Sequence, residues 1–478
     1  MRKYDNQVQK IKSEVLKTVA KFSFEGNLME NIYDIPKIVN PGPDERYRCC
    51  VYHERAITEE RVKMALGGNK SNPNIVEVLE TACDKCPVNR FFITEACRGC
   101  LAHKCQISCP FDAITIEKGK AKIDQSKCKE CGKCKEACPY DSIADVMRPC
   151  RRVCPTGAIS IDDRKKAVID FDKCIECGAC VYQCPFGAIQ DKSEIVKVID
   201  KIIEAKQNVY AIIAPAFATQ FNFAKHEEIV AGIKALGFKD VIEVALGADL
   251  VVKHESEEFV HYMEEKDFMT SSCCPAFVKF IDIKYPELKE NISTTVSPMI
   301  ATSRLVKSVD KDAVVVFIGP CIAKKREKDI MKEDIEYVLT FEELAAMIDA
   351  KDIKLDEIGE MPLNNASYFG RKFAASGGVT AAIKNEISSR KLEIDFNPVI
   401  CNGINECDKA LKMGKVKRLD GNFIEGMACS GGCIKGPVTM HHGRQDLKSL
   451  ETYCEMTVEE TPEKSLRVFD LNKINMER

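Results

Sequence analysis

The sequence predicts two architectures in series: small α+β units crowded with cysteine, then a large α/β domain with mainly parallel sheets. Three observations carry this. Between Cys83 and Ile189 a short motif repeats, a cysteine run ending in Cys-Pro followed by an Ala-Ile or Ser-Ile dipeptide. Beyond about residue 193, β-branched apolar runs alternate with amphipathic ones, the pattern of layered α/β structure. Before residue 79 the chain reads as helix joined by irregular connection. The expected divisions are therefore 1–78, 79–192 and 193–478, and 478 residues exceed what one average core holds.

In the first division the helical stretches are 5–19 and 58–66, the second stopped by Gly67 and Gly68. The PKIVNPGPDERYRCC segment between them is expected to be irregular because of its prolines and glycine. In the third division the strands are 209–214, 241–245, 314–318 and 398–400. Helices are expected at 228–236, closed by Gly237, and at 341–350, opened by the capping-box spacing of Thr340 and Glu343.

Hydrophobic content of 45% beside 30% charged residues is ordinary for a soluble protein, and net charge of -3 gives no bias toward nucleic acid or membrane. No apolar run approaches the roughly 18 residues of a membrane span. The N-terminal MRKYDNQVQKIKSEVLK has no apolar signal core, so a cytoplasmic location is expected. Seven scattered histidines do not make a metal centre, but 26 cysteines in a reducing compartment read as metal ligands rather than disulfides.

The runs CKECGKCKEACP (Cys128, Cys131, Cys134, Cys138) and CIECGACVYQCP (Cys174, Cys177, Cys180, Cys184) have the C-x2-C-x2-C-x3-C-P spacing of ferredoxin-like 4Fe-4S sites. Zinc sites instead separate two cysteine pairs by a dozen or more residues. In two-cluster ferredoxins the fourth cysteine of a run crosses to the other cluster. That rule groups Cys97, Cys100, Cys105 and Cys138; then Cys128, Cys131, Cys134 and Cys109; then Cys174, Cys177, Cys180 and Cys154. Cys150 and Cys184 remain, with Ala144 and Met147 where two further ligands belong. The unassigned pair Cys83 and Cys86 is expected to complete a fourth cluster, which uses all sixteen cysteines from Cys83 to Cys184. Electrons tunnel only over short gaps, so clusters in series are an electron relay. Arg148, Arg151 and Arg152 are read as a basic dock for an acidic carrier, with a solvated face as the alternative.

Three later segments carry the chemistry: SSCCPAF at 271–277, GPCIAKKRE at 319–327 and EGMACSGGC at 425–433. In this order they resemble the active-site signatures of iron-iron (FeFe) hydrogenases, in a multi-cluster branch with the GPC variant. The implied fold class is α+β ferredoxin-like iron-sulfur domains followed by a large α/β hydrogenase catalytic domain with mainly parallel sheets. The resemblance implies an H-cluster, a 4Fe-4S cubane linked to a two-iron unit with carbon monoxide, cyanide and a dithiolate amine. Its ligands would be Cys274, Cys321, Cys429 and Cys433, the last bridging to the two-iron unit. Cys273 matches the family's proton-transfer cysteine, with Glu255, Ser293 and Glu258 as the relay behind it, and Lys324 matches the lysine that bonds a cyanide. Lys325 and Arg326 read as surface charges.

The chain departs from well-studied members at Gly319, Phe277 and Met299, where they have methionine, tryptophan and glutamine, and the third signature continues CIKGPVTM instead of a glycine triplet. Such changes tune potential and oxygen access. The function implied is reversible interconversion of H2 with protons and electrons, exchanged with a ferredoxin or flavodoxin, after assembly by hydrogenase maturation proteins. The alternatives are a low-turnover hydrogen sensor and an iron-sulfur assembly or electron-transfer protein; no output domain is expected beyond Arg467. Cys49, Cys50, Cys401, Cys407 and Cys454 are expected to be free thiols, with cluster ligation as the alternative for the first two.

Overall fold

The computed structural model describes residues 4–204 and 208–478. Four two-stranded antiparallel sheets build the cysteine-rich part. Ile114–Glu117 pairs with Lys120–Ile123 and Ile159–Ile161 with Ala167–Ile169, each a short hairpin after a Cys-Pro turn. Phe91–Ile93 pairs with Ile143–Asp145 across the first unit. Val76–Val78 pairs with Ile189–Asp191, so the strand just before residue 79 belongs with the cysteine-rich part.

The C-terminal part has two parallel sheets. Asp240–Glu243, Asn208–Ile213, Ala313–Gly319 and Tyr337–Thr340 form one, in that order. Met269–Thr270, Phe423–Met427 and Pro398–Asn402 form the other. The strand Ala313–Gly319 is buried at every position, as a central parallel strand covered on both faces must be. Between the sheets runs the helix Val244–Tyr262, which packs on Pro298–Val309 and Gly378–Ser389.

Several expectations need revision. The strand expected at 241–245 ends at Glu243, and Val244 and Ala245 open the long helix. A buried helix start is apolar all round and has the same local signal as a buried strand. The helix expected at 58–66 starts at Val51, and PKIV within the supposed irregular connection is helical from Ile35 to Val39 with proline in its first turn. The first helix runs on to Phe24 and packs against Phe341–Ala350 and Ile195–Ile203, so Val15, Leu16 and Val19 share the core of the C-terminal part. Phe341–Ala350 has the expected bounds and a complete Thr340–Glu343 capping box.

Lys325 is not a surface charge. It is one residue beyond the cavity-facing Lys324 on the helix Ala323–Ile330 and so points the other way, with 2% of its side chain exposed. Its ammonium pairs with Asp191 at 2.8 Å and Glu343 at 3.3 Å and donates to the Lys192 carbonyl at 2.7 Å. Lys12 reaches the same Asp191 at 2.9 Å, so one buried cluster of charges ties the N-terminal helix, the last cysteine-rich strand and the C-terminal domain together. At the same junction Gly178, at φ 75°, lies so close to the catalytic loops that a Cβ there would stand 2.6 Å from Ile322 and 2.7 Å from Pro437. Tyr182 stacks on His442 beside it, ring centroids 4.2 Å apart.

Candidate metal centre and proton path

The three signature segments converge. Cys274 caps the helix Pro275–Lys284, Cys321 follows the strand Ala313–Gly319, Cys429 follows Phe423–Met427, and Cys433 opens a short 3-10 turn. All four thus sit where strands end and helices begin, the position at which α/β folds gather ligands. Burial and the neighbouring thiolates raise each of Cys321, Cys429 and Cys433: Cys321 to about 11, Cys433 to about 12 and Cys429 well above the ordinary range. Thiols this costly to ionise in isolation suit a cationic metal cluster that would hold them as thiolates.

Beside them lies an almost wholly apolar cavity of about 90 Å³. Cys273, Cys274, Cys321, Cys433, Lys324 and Met299 contribute to its wall. Cys433 has free surface although the residue lies deep in the protein, and that surface faces the cavity. Lys324 donates to Glu327 at 2.6 Å and to the Cys273 carbonyl at 3.3 Å, and Ser297 donates to the same Glu327 oxygen at 3.0 Å. Buried Glu327 was not singled out from the sequence; its i+3 spacing from Lys324 is the signal that marks it. Buried Glu425, which accepts from the Gly377 and Thr380 amides at 2.6 and 2.8 Å, had no such local signal.

From the cavity a line of polar groups leads outward along one helix. Cys273 is pushed far up by burial and by the charge of Glu255. Glu255 is fully buried, and burial with the nearby Glu258 charge pushes it up to about 8. The Ser293 hydroxyl and Ser272 amide approach its carboxyl, but neither makes a hydrogen bond of good geometry, and both oxygens remain without partners. Ser293 donates instead to Glu258 at 2.6 Å, and Thr295 donates to the same oxygen at 2.9 Å. Glu255 and Glu258 lie one turn apart on Val244–Tyr262, and Glu258 is half-buried, so the path runs from interior to surface.

A profile of the C-terminal domain of the iron-only hydrogenase large subunit matches residues 207–437, and 4Fe-4S dicluster domains match 90–139 and 148–188. The periplasmic [Fe] hydrogenase large subunit of Nitratidesulfovibrio vulgaris is 31% identical over 378 residues, covering 66% of this chain and 85% of that one. The chain belongs to the iron-only hydrogenase family. Iron hydrogenase 1 of Clostridium pasteurianum is 29% identical over 445 residues, 80% of this chain and 77% of its own. The chain is also similar to a cytosolic Fe-S cluster assembly factor, NAR1 of Meyerozyma guilliermondii, 29% identical over 134 residues and covering 24% of this chain and 25% of that one.

Within this iron-only hydrogenase fold the upstream thiols lie near one another in sets. Among the described residues no three His, Cys, Asp or Glu side chains are close enough together to hold a single metal ion. Cys105 feels Cys138 and Cys100, while Cys134 feels Cys128, Cys109 and Cys131, the crossed grouping of a two-cluster ferredoxin. Cys174, Cys177 and Cys180 each feel Cys154. Cys150 is pushed up to about 11 by burial and by Cys184, Cys86 and Cys83. Cys83 and Cys86 precede both dicluster matches, yet the fold brings them to Cys150 and Cys184. Cys177 in turn lies near Cys274 and Cys429, which puts the third set against the site where the three signature segments meet.

The basic dock does not form as expected. Arg148 is 4% exposed, its guanidinium held by the Pro87 and Lys165 carbonyls at 2.9 Å each. Arg151 pairs with Glu130 at 3.3 Å, and only Arg152 is fully at the surface. The altered family positions have steric partners: a Cβ at Gly319 would meet the Phe317 ring at 2.5 Å, and one at Gly426 would meet Phe277 at 2.0 Å. Phe317 and Met299 both line the cavity. Cys401, Cys407 and Cys454 are buried, and Cys50 is exposed. Among the described residues no helix is long and apolar enough to cross a membrane.

Proposed function

We propose that this protein interconverts dihydrogen with two protons and two electrons. What supports this reading is the succession of Cys273, Glu255, Ser293 and Glu258 from a cysteine-lined apolar cavity toward the surface, with the Ser293–Glu258 hydrogen bond as its outer link. Cys274, Cys321, Cys429 and Cys433 would hold the cubane of an H-cluster, with Cys433 facing the cavity as the link to a two-iron unit. When bound, that unit supplies the metal site at which dihydrogen is made and split. The apolar wall, the free face of Cys433 and the Lys324 ammonium, a donor for an anionic diatomic ligand, fit such a group.

The protein's own residues move the protons. Cys273 exchanges a proton at Sγ with whatever occupies the cavity. Glu255, kept protonated at neutral pH, gives or takes one without the cost of a buried charge. Rotation of the Ser293 hydroxyl between Glu255 and Glu258 completes the handover to a half-buried carboxylate. The sixteen upstream cysteines would hold four 4Fe-4S clusters that carry electrons. A ferredoxin or flavodoxin would meet the outermost unit, where Leu101 and Ile107 stand exposed between Cys100 and Cys109.

The kinship with cluster assembly factors keeps a non-catalytic reading alive, and intact Cys273 and Lys324 argue against it. Infrared spectra of anaerobically matured protein, combined with hydrogen evolution from reduced viologen, decide. Carbon monoxide and cyanide bands with fast turnover are expected. The same bands with only trace turnover would mean a sensor, and no bands at all would mean an assembly or electron-transfer protein.

A further inference from the structure

The fourth thiol group differs from the other three in what surrounds it. In those three, the hydrogen bonds to sulfur come from backbone amides, as from Ala121 to Cys97 at 3.5 Å, Ala113 to Cys109 at 3.4 Å and Ala158 to Cys154 at 3.2 Å, with the Thr156 hydroxyl also 3.7 Å from Cys154. Among the described residues, Cys83 alone of the sixteen takes one from a charged side chain, Arg148 at 3.8 Å. Both other ends of that guanidinium are pinned by carbonyls, so its aim is fixed.

A second arginine is stranded nearby. Arg61 is 4% exposed, and its Nε and one terminal nitrogen have no partner. Its remaining nitrogen donates to the Phe186 carbonyl at 3.2 Å, and the guanidinium covers Gly187, three residues beyond Cys184. Burial pulls Arg61 down to about 10 while the charges of Glu54 and Cys184 oppose the fall. The nearby acids are already engaged: Arg48 pairs with Asp84 at 3.1 Å and with Glu54 at 3.7 Å. A buried cation without a counter-charge is costly. An iron-sulfur cluster on four thiolates is an anion of the kind that Arg61 lacks. The third group instead has a buried carboxylate, Glu176, in its Cys174–Cys177 loop, and the cations near it, Lys279 at 3.2 Å and Arg326 at 3.9 Å, are paired with that carboxylate.

We propose that Arg61 and Arg148 make the cluster of Cys83, Cys86, Cys150 and Cys184 the most readily reduced member of the relay, an electron store one step short of the cluster beside the catalytic centre. This rests on the four-cluster reading above. One electron passes from a neighbouring cluster, which is oxidised by one, and no bond or proton moves. The added negative charge is stabilised by nearby cations and by donors to sulfur, the terms that raise cluster potentials, and burial leaves those terms poorly screened. Cys180 lies near Cys150, so the store adjoins the third cluster directly.

The test is a redox titration followed by electron paramagnetic resonance on the holoprotein, with iron analysis. The double variant Cys83→Ala, Cys86→Ala identifies the signal by losing it together with its iron. In the wild type that signal is expected to appear first on reduction. Arg61→Gln should lower its midpoint by 59 mV or more, a tenfold change in a one-electron equilibrium, with the other signals unmoved. Arg148→Lys, which keeps charge but loses the fixed fork, should shift it in the same direction by less. If the signal appears with or after the others in the wild type, the store is overturned, even where the arginine variants fail to assemble. An unmoved midpoint in Arg61→Gln with full iron overturns it as well. If the double cysteine variant keeps all its iron, the ligand assignment has failed instead.

Discussion

At the residue scale the proposed proton path turns on two groups whose environments oppose their charged forms. Cys273→Ser keeps the size and removes the acidity, so turnover should fall at least about a hundredfold while iron content and infrared bands stay unchanged. Full activity in that variant would exclude the path. Glu255 carries a pH signature that does not depend on catalysis. Its folded pKa of about 8 lies above the roughly 4.3 of an unfolded glutamate, so between those values the folded state binds the extra proton. Stability is therefore expected to fall as pH rises through that window, and thermal midpoints of Glu255→Gln should lose that part of the slope. Cys273, Lys324 and the four candidate ligands stand out in the sequence through short-range spacing, and most of them share one cavity wall. The burial of Arg148 and Lys325 was not legible there, because their partners lie far away in the chain: Asp191 is 134 residues from Lys325, and Lys165 is 17 from Arg148.

At the element scale, local signals read well where a capping residue or glycine marks an end and poorly where burial is uniform. Thr340 and Glu343 announce the helix Phe341–Ala350, whereas the start of Val244–Tyr262 is masked by its own apolar residues. The cap does more than close a helix, because the Glu343 carboxylate also accepts from Ser193 and pairs with Lys325. Thr340→Ala should therefore cost about 1 kcal/mol through the lost cap, read as a lower unfolding midpoint. The Gly319 variant is likewise an element-level trade: the strand Ala313–Gly319 ends without a side chain because Phe317 uses that space, which turns an aromatic ring toward the cavity.

At the scale of the whole molecule, the cysteine count led to the proposed grouping of Cys83 and Cys86 with Cys150 and Cys184, for which no local pattern speaks. Cys83 and Cys86 are 64 or more residues from Cys150, and the antiparallel pairing of Val76–Val78 with Ile189–Asp191 closes that gap. Iron analysis should accordingly find about four fewer irons per chain in Cys83→Ala, Cys86→Ala than in the wild type, the content of one cubane. The buried Lys12, Asp191, Lys325 and Glu343 cluster then fixes the cysteine-rich part against the C-terminal domain instead of leaving it on a tether. Gly178 sets how close that approach is. Its missing methyl group lets the third thiol group lie flush against the loop after Cys321, and Gly178→Ala would wedge the two apart. Isotope exchange between deuterium gas and water, which needs no current through the relay, should survive that change better than viologen-linked turnover. The protein's internal conductance would then be limited by the thickness of one carbon atom.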